Sequence, residues 1–447
     1  MLHLDTLQQE LKRQAKVEVQ GRALAVRGSV LIARMPHAAV GQVCYVTAGT
    51  RPIAAQIIAF KDDLITLAPL DHLTGIGPGA AISGSGELLN LNLPLDMQGR
   101  VLDALGTPID QSEADSVSAQ AAYLSLPVDS PPPHPLSRRP INTPLATGVR
   151  AIDAFCPIGR GQRIGLFASA GIGKSTLLGM IARHSQADLN VIALVAERGR
   201  EVGDFIHEVL GPEGLKKSVL VVATSDESPA RRQLAAFSAT AIAEHFRAQG
   251  KHVLLLVDSL TRTARAIREV GLAAGELPVR QGYTSSVYTA LPRLIERAGT
   301  DANGSISAIY TVLTAGENDL DPLGEELKSL LDGHIVLDSS VASRGIRPAI
   351  DITQSVSRLT PRLLSNEEQL EIRELTKVLQ RLKKDKDILL LGGTPDQELK
   401  AALELEAALS DFLNQNPSEN AKWNSTREGL TTLAGRWRGL LPRYTHM

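Results

Sequence analysis

The residue types that hold a polyphosphate are gathered in one short segment, Ala168-Ser169-Ala170-Gly171-Ile172-Gly173-Lys174-Ser175-Thr176. Its glycines, Gly171 and Gly173, let the backbone curl so that several N–H groups face one anion. A helix after the loop would add the positive end of its dipole. Lys174 can reach the β- and γ-phosphates, and the hydroxyl of Ser175 can ligate Mg²⁺. Residues 169–176 therefore predict a site for ATP and Mg²⁺.

The surroundings of this segment fit a phosphate-binding loop. The apolar run 164–167 precedes it and a helical pattern over 177–183 follows it. This strand–loop–helix order is what a P-loop requires. The first glycine of the motif is replaced by Ala168, which is tolerated where the backbone angles are ordinary. The alternative is a flexible glycine-rich turn, and the run Gly-Lys-Ser-Thr in this context disfavours it.

A second chemical group is the carboxylate of Asp258, which ends the aliphatic run 253–257. An acid at the carboxyl end of a central strand lies beside the phosphate loop, at the crevice of the sheet. We therefore expect Asp258 to orient Mg²⁺ through its water shell. Taken alone, such an aspartate would be a strand end or a helix cap.

A third group follows the aliphatic run 191–195, in the sequence Ala196-Glu197-Arg198-Gly199-Arg200-Glu201. A carboxylate at this place can polarise a water molecule in line with the γ-phosphate. One well-placed base matters because phosphoryl transfer depends mostly on positioning and charge stabilisation. Taken alone, a Glu-Arg pair at a strand end is more often a surface ion pair.

The elements that must position these groups follow from hydrophobic patterning. Aliphatic runs alternate with amphipathic stretches from 148 to about 359, which predicts helices around a parallel sheet. Short apolar runs punctuated by glycine over 17–86 predict a small β-barrel. A charged helical pattern follows Pro361, and a further helix is predicted from Pro395 to Leu413. We predict an α/β protein with three domains, at 1–88, 89–359 and 360–447.

Composition narrows the class of protein. The formal net charge is -2, whereas nucleic-acid binders usually carry a basic excess. The two cysteines, Cys44 and Cys156, have no metal-ligand spacing and suggest reduced thiols in a cytosolic protein. No apolar run reaches the length of a membrane span.

The first residues predict a short amphipathic helix, with an apolar stripe formed by Leu4, Leu7 and Leu11. Such a stripe could dock on a partner or touch a membrane surface. Alternatively, it packs on its own domain or frays.

The three chemical groups together resemble the rotary and secretion ATPase family. The run Ala-Glu-Arg-Gly-Arg-Glu-Val over 196–202 resembles the catalytic-glutamate motif of hydrolytic subunits, whereas non-catalytic subunits have glutamine at the place of Glu197. The resemblance implies that Glu197 is the general base. It also implies that Arg198 assists catalysis and that Glu201 acts in the same site, near the metal.

Further motifs resemble the type III secretion and flagellar export branch. They are PLATGVRAID (144–153), ATSDESP (223–229), LVDSLTR (256–262), LPRLIERAG (291–299), LLDGHIVL (330–337), RPAID (347–351) and SVSR (355–358). The resemblance covers nearly the whole chain up to residue 359. It is weaker over the first ninety or so residues and after Pro361.

The resemblance implies a barrel-like N-terminal domain, a RecA-like P-loop core and a C-terminal α-helical domain. It also implies a homohexameric ring with ATP bound between subunits. Arg358 matches the arginine that enters the neighbour's site, where it can raise the rate by about 10³ to 10⁵. Arg262 is expected to line the same phosphate pocket. Without the family, a local ion pair would explain Arg358.

The implied function is MgATP hydrolysis that energises type III protein secretion by releasing chaperones and unfolding export substrates. The implied partners are a peripheral stator, which the N-terminal helix would contact, a central stalk, the export gate and chaperone–effector complexes. The implied location is the cytoplasmic face of the inner membrane, with membrane association through partners. Flagellar protein export, with the same chemistry, is the alternative.

Two rivals belong to other classes. A hexameric nucleic-acid translocase would need a basic, aromatic-bearing N-terminal domain that stacks bases. The only aromatics over 17–86 are Tyr45 and Phe60, and no basic cluster occurs there, so we expect no nucleic-acid partner. A non-hydrolysing ring subunit is disfavoured by Glu197.

The chain departs from the family pattern at three places. Arg347 stands where the export ATPases usually have a tyrosine that packs the adenine ring, although an arginine can also stack on a base. The runs 284–286 and 338–341 replace a proline-bearing loop and a more basic pattern. These departures mark a divergent member.

Overall fold

The computed structural model describes residues 19–48, 51–110, 123–314, 322–390 and 394–441. The predicted stripe of Leu4, Leu7 and Leu11 lies outside these ranges. The described helices include none that is long and apolar enough to cross a membrane.

The N-terminal strands close into a six-stranded barrel with the order β1-β2-β5-β4-β3-β6. They are β1 (Val19–Arg27), β2 (Val30–Arg34), β3 (Gln42–Ala48), β4 (Arg51–Lys61), β5 (Leu64–Pro69) and β6 (Ala81–Leu88). Alternate side chains such as Leu31, Ile57 and Leu67 point inward and are buried together. The predicted barrel is therefore confirmed, and closure leaves no free sheet edge.

The remaining strands belong to the central domain. They are β7 (Asn90–Pro94), β8 (Val101–Asp103), β9 (Tyr123–Pro127), β10 (Pro144–Leu145), β11 (Ile158–Gly159), β12 (Arg163–Ala168), β13 (Leu189–Glu197), β14 (Ser218–Thr224), β15 (His252–Asp258), β16 (Pro278–Arg280), β17 (Tyr283–Thr284), β18 (Gly299–Thr300), β19 (Ser305–Leu313), β20 (Gly333–Val336) and β21 (Val356–Ser357). Nine of them form one sheet with the path β21-β20-β12-β19-β15-β13-β14-β8, and β18 pairs with β19.

The sheet is parallel from β20 to β8, as the aliphatic runs predict. The two-residue strands β18 and β21 pair antiparallel, which the sequence patterns do not predict. Because side chains alternate along a strand, β13 sends Ile192 and Leu194 to one face and Val191 and Ala193 to the other. Both faces are therefore buried, which explains the continuous aliphatic runs.

Helices cover both faces of the sheet and form the C-terminal domain. They are α1 (Arg150–Phe155), α2 (Lys174–His184), α3 (Gly199–Asp204) with a π-helical turn (Phe205–Leu210), α4 (Gly211–Lys216), α5 (Pro229–Ala248), α6 (Leu260–Ala274), α7 (Ser285–Glu296), α8 (Pro322–Leu330), α9 (Ser339–Ser343), α10 (Thr360–Leu363), α11 (Asn366–Leu390), α12 (Gln397–Leu413) and α13 (Trp423–Leu440). Helices α11, α12 and α13 pack on one another, and all three contact α1.

The start of α12 differs slightly from its prediction. The helix begins at Gln397 rather than Pro395, because the side chain of Asp396 accepts a hydrogen bond from the Leu399 N–H and caps the helix. The division of the chain at residues 88 and 359 stays a prediction.

Candidate active site

The phosphate loop joins β12 to α2. Gly171 and Gly173 have φ angles of +79° and +99°, in the left-handed region that favours glycine. A Cβ added to either glycine would meet nothing within 4 Å, so the backbone angle rather than space requires glycine there. Gly173 is the N-cap of α2, which leaves the first N–H groups of the helix available to an anion. Ser175 and Thr176 are exposed at this end of the helix.

The ammonium of Lys174 lies between two carboxylates. It forms an ion pair with Asp258, and its Nζ is 3.9 Å from Oε1 of Glu197. All three side chains are at most 11% exposed. The structure therefore brings together three of the predicted site residues.

Asp258 is held by a neighbour that sequence reasoning missed. The Thr311 hydroxyl donates to Oδ1 of Asp258 at 2.8 Å. The parallel register of β15 and β19 sets Val257 beside Tyr310, which brings the next residue of each strand together. Thr311 has no local signal because it lies within the aliphatic strand β19.

A backbone irregularity directs Glu197. Ala196 has a φ angle of +53°, and the pairing of β13 with β14 shifts register between Val195 and Glu197. Such a bulge re-aims the side chain that follows it. Arg262 donates to the Ala196 carbonyl and lies 2.7 Å from Oε2 of Glu197. The predicted place of Arg262 in this pocket agrees with these contacts.

Glu197 has the protonation behaviour of a base poised near neutral pH. Burial, a hydrogen bond with Glu201 and the charge of Asp258 raise the pKa of Glu197 to about 7, against the opposing effect of Arg262 and Lys174. The same hydrogen bond lowers the pKa of Glu201. The hydrogen bond between the two carboxyl groups therefore shifts their pKa values in opposite directions. A general base works best with a pKa near the operating pH.

The other two predicted residues of this region, Arg198 and Glu201, are more exposed than Glu197. The Arg198 side chain is 81% exposed, and its NH1 lies 3.5 Å from Oε1 of Glu201, which is 47% exposed. Arg198 thus extends into solvent rather than toward Lys174, although it adjoins Glu197 in sequence. Among the described residues, no group of three or more His, Cys, Asp or Glu side chains could hold a metal.

A cavity of about 310 Å³ adjoins the phosphate loop. It is lined by Ser169, Ala170, Gly171, Ile172 and Gly173, together with Ser339, Ala342 and Arg347. The Arg347 guanidinium donates to the Ala342 carbonyl at 2.8 Å. Its backbone is held by the C-terminal domain, since Asn414 accepts from the Arg347 N–H at 3.0 Å and the Gln415 N–H donates to its carbonyl.

Arg358 lies near the amino ends of the parallel strands, opposite the carboxyl ends that carry the phosphate loop and the carboxylates. It follows β21, and Ser357 pairs with Gly333, where the parallel strand β20 begins. The phosphate loop follows the opposite end of β12. The two ends are separated by about five residues of extended strand, which is roughly 15 Å. Arg358 is exposed, and its NH2 donates to the Lys328 carbonyl at 3.0 Å. Within this chain, Arg358 therefore does not reach the phosphate loop.

This sheet, with a phosphate loop after one strand and carboxylates after two others, defines a RecA-like P-loop ATPase. The nucleotide-binding domain of the ATP synthase alpha/beta family matches residues 148–357. The chain belongs to the family of type 3 secretion system ATPases and flagellum-specific ATP synthases, and it is an ATP-hydrolysing enzyme. The resemblance inferred from the motifs is confirmed.

Relatives from both kinds of export system support this assignment. The Flagellum-specific ATP synthase of Treponema pallidum is 42% identical over 430 residues, which cover 95% of each protein. The Type 3 secretion system ATPase of Xanthomonas euvesicatoria is 40% identical over 96% of this chain and 97% of its own length. The assembled ATPase EscN from the type III secretion system of enteropathogenic E. coli superimposes with a TM-score of 0.86 at 40% identity, covering 93% of this chain and all of that one.

Proposed function

We propose that this chain hydrolyses MgATP in a homohexameric ring that energises type III protein secretion. The observation that carries the proposal is an incomplete site: base, lysine and phosphate loop meet in one subunit, while Arg358 is exposed at the opposite edge of the sheet. A neighbour in a ring of head-to-tail contacts can supply the missing arginine.

Each residue at the loop has a role that its position supports. The N–H groups of residues 169–173 and of the start of α2 bind the phosphates. Lys174 exchanges its contact with Asp258 for the β- and γ-phosphates, and Glu197 accepts a proton from the attacking water. Arg262 holds Glu197 in its orientation through the contact at 2.7 Å.

The residues present fit a Mg²⁺ ion that arrives with the nucleotide. Magnesium is usually held by one or two carboxylates and by substrate phosphates rather than by an all-protein cage. The hydroxyl of Ser175 and the carboxylate of Asp258 suit this mode, and Glu201 lies farther out. The ion would neutralise charge that develops on the phosphates.

The partners and place of action follow from the same proposal. EscN has a solved structure in complex with its central stalk EscO, at 39% identity to this chain, which supports a central stalk here. We extend the proposal to a peripheral stator, an export gate and chaperone–effector complexes, at the cytoplasmic face of the inner membrane. The cycle would release chaperones and unfold export substrates.

The shared site is tested by ATPase activity against protein concentration, with an Arg358→Ala variant alongside. Specific activity should climb with concentration in the parent and fall by about 10³ in the variant. Arg362→Ala is the matched control, because Arg362 is also exposed and only four residues away. Constant specific activity, unaffected by Arg358→Ala, would overturn the shared site.

The base assignment has its own test. Glu197→Gln should leave ATP binding intact and abolish turnover, since the amide keeps the shape but cannot accept the proton. Nucleotide binding is measured by titration and turnover by phosphate release. A Glu197→Gln protein that hydrolyses ATP at the parental rate would refute the assignment.

A further inference from the structure

One buried carboxamide connects the segments that meet behind Arg358. Gln162 lies between β11 and β12 and is fully buried. Its Nε2 donates to the Asp332 carbonyl and to the Ser357 hydroxyl, both at 3.1 Å. Its Oε1 accepts from the Gly159 N–H at 2.8 Å. Both amide hydrogens and the oxygen therefore have a partner, and the two acceptors lie 170 and 195 positions farther along the chain.

The two groups that Gln162 holds on its donor side adjoin the backbone of Arg358. The Asp332 carbonyl also accepts the backbone N–H of Arg358 at 3.0 Å. Ser357 precedes Arg358 directly, and its hydroxyl donates to the Pro157 carbonyl at 2.7 Å. The backbone of Arg358 is held by the Asp332 carbonyl and by the pairing of β21 with β20, and Gln162 donates to that carbonyl and to Ser357. The guanidinium of Arg358 remains exposed.

We infer that Gln162 is a positioning residue for Arg358, so that it sets the rate in the neighbouring subunit's site rather than in its own. This inference rests on the proposed shared site. A shift of about 1 Å in a group that stabilises a transition state can cost about 10²-fold in rate. A long side chain carries any displacement of its backbone to its tip, so loss of the amide should misplace the guanidinium.

Burial of an amide also has a purely structural use, and the chain contains a matched example. Asn190 is fully buried, and its Nδ2 donates to the Ala182 carbonyl at 2.9 Å and to the Ser218 hydroxyl at 3.1 Å. Like Gln162, it holds one carbonyl and one serine, but neither adjoins Arg358. Asn190→Leu therefore measures the cost of losing the two donor bonds of a buried amide; unlike the oxygen of Gln162, Oδ1 of Asn190 has no hydrogen-bond partner among the described residues.

The test is complementation in mixed rings. Gln162→Met removes the amide at nearly constant volume, and it is mixed in equal amounts with Glu197→Gln. A working interface needs the intact Glu197 of a Gln162→Met subunit and the correctly placed Arg358 of a Glu197→Gln subunit. On random mixing in a closed ring, up to about a quarter of the interfaces have this combination. We expect Gln162→Met alone to lose about 10²-fold in kcat with KM nearly unchanged, and the mixture to recover toward a quarter of parental activity.

Two further mixtures fix the interpretation. Gln162→Met with Arg358→Ala should recover nothing, because both lesions impair the same side of the interface. Arg358→Ala with Glu197→Gln should recover as the Gln162 mixture does. Asn190→Leu should keep a parental kcat per folded subunit, with any loss confined to thermal stability.

The outcomes separate this inference from the proposed function. Recovery by Arg358→Ala with Glu197→Gln, but none by Gln162→Met with Glu197→Gln, would overturn the role of Gln162 alone. No recovery in either pair would overturn the shared site and the inference with it. If Gln162→Met does not fold, Ser357→Ala replaces it, because that change removes the contact of Gln162 next to Arg358, together with the hydrogen bond from Ser357 to the Pro157 carbonyl.

Discussion

Removal of the ion pair between Arg262 and Glu197 should shift the pH dependence of kcat/KM. The logarithm of kcat/KM reports groups in the free enzyme, and the pKa of Glu197 is raised to about 7. A base must be deprotonated to act, so kcat/KM should rise with pH through a midpoint near this pKa. Arg262→Gln removes a cation that favours the charged form of Glu197, and the midpoint should move to higher pH.

The size of this shift follows from the geometry. The closest atoms of the pair are 2.7 Å apart, and the charge centres are roughly 4 Å apart, which gives about 4 kcal/mol at an effective dielectric constant of 20. At about 1.4 kcal/mol per pKa unit this is an upper limit near 3 units. Because Arg262 retains some contact with solvent, we expect a shift of about 1 to 3 units.

The assay is steady-state kcat/KM from pH 5.5 to pH 10 at constant ionic strength. Arg262→Lys is the first control, since it keeps the charge and should keep the midpoint within about one unit. Arg198→Gln is the second, since the Arg198 side chain is 81% exposed and solvent screens its charge, so no shift is expected.

The profile separates two roles of Arg262. Loss of a phosphate contact would lower the plateau of kcat/KM without moving the midpoint, whereas loss of the charge beside Glu197 moves the midpoint. A fall in the plateau with a fixed midpoint in Arg262→Gln would refute the electrostatic coupling. Absence of any acidic limb near pH 7 in the parent would refute Glu197 as the titrating base.

Three further changes test the site. Lys174→Ala should abolish ATP binding in a nucleotide titration, and undiminished binding would contradict the loop assignment. The same change should lower the free energy of unfolding by about 1–3 kcal/mol, since it leaves Asp258 buried without its cation. Ala196→Gly should raise the free energy of unfolding in urea by about 0.5–1 kcal/mol, because glycine adopts a φ of +53° without strain; a loss of stability would show that the bulge is unstrained. Arg347→Ala should weaken ATP binding about 5- to 30-fold and Arg347→Tyr should restore it, if stacking on the base is the role of this side chain; an unchanged Kd would place the base elsewhere.

Much of the site could be predicted because its chemistry is local. The phosphate loop is one continuous segment, so the spacing of the glycines, Lys174 and Ser175 alone predicts a phosphate-binding role. Asp258 and Glu197 each end an aliphatic run, and parallel strands bring their carboxyl ends to the same edge of the sheet. Arg198 adjoins Glu197 in sequence, yet the turn after β13 sends its side chain into solvent, and its role in catalysis stays a prediction.

Other parts depend on contacts between residues far apart in the chain. Arg262 meets Glu197 across 65 positions, and Thr311 meets Asp258 only through the register of two strands. The bulge at Ala196 arises where β13 and β14 lose register, and an alanine gives no sign of a positive φ angle. None of these pairings leaves a pattern in either segment alone.

The sequence by itself determined the phosphate loop, the barrel and the alternating core, because each shows in neighbouring residues or in hydrophobic periodicity. The assignment of Glu197 as the base depends on the resemblance to hydrolytic subunits and stays a prediction. Only the tertiary structure decided where Arg358 lies. The two-residue strand β21 is too short to have a period, yet its antiparallel pairing with β20 sets Arg358 at the edge away from its own phosphate loop. Direction of pairing is a property of the assembled sheet, so no pattern within β21 alone could have placed Arg358 there.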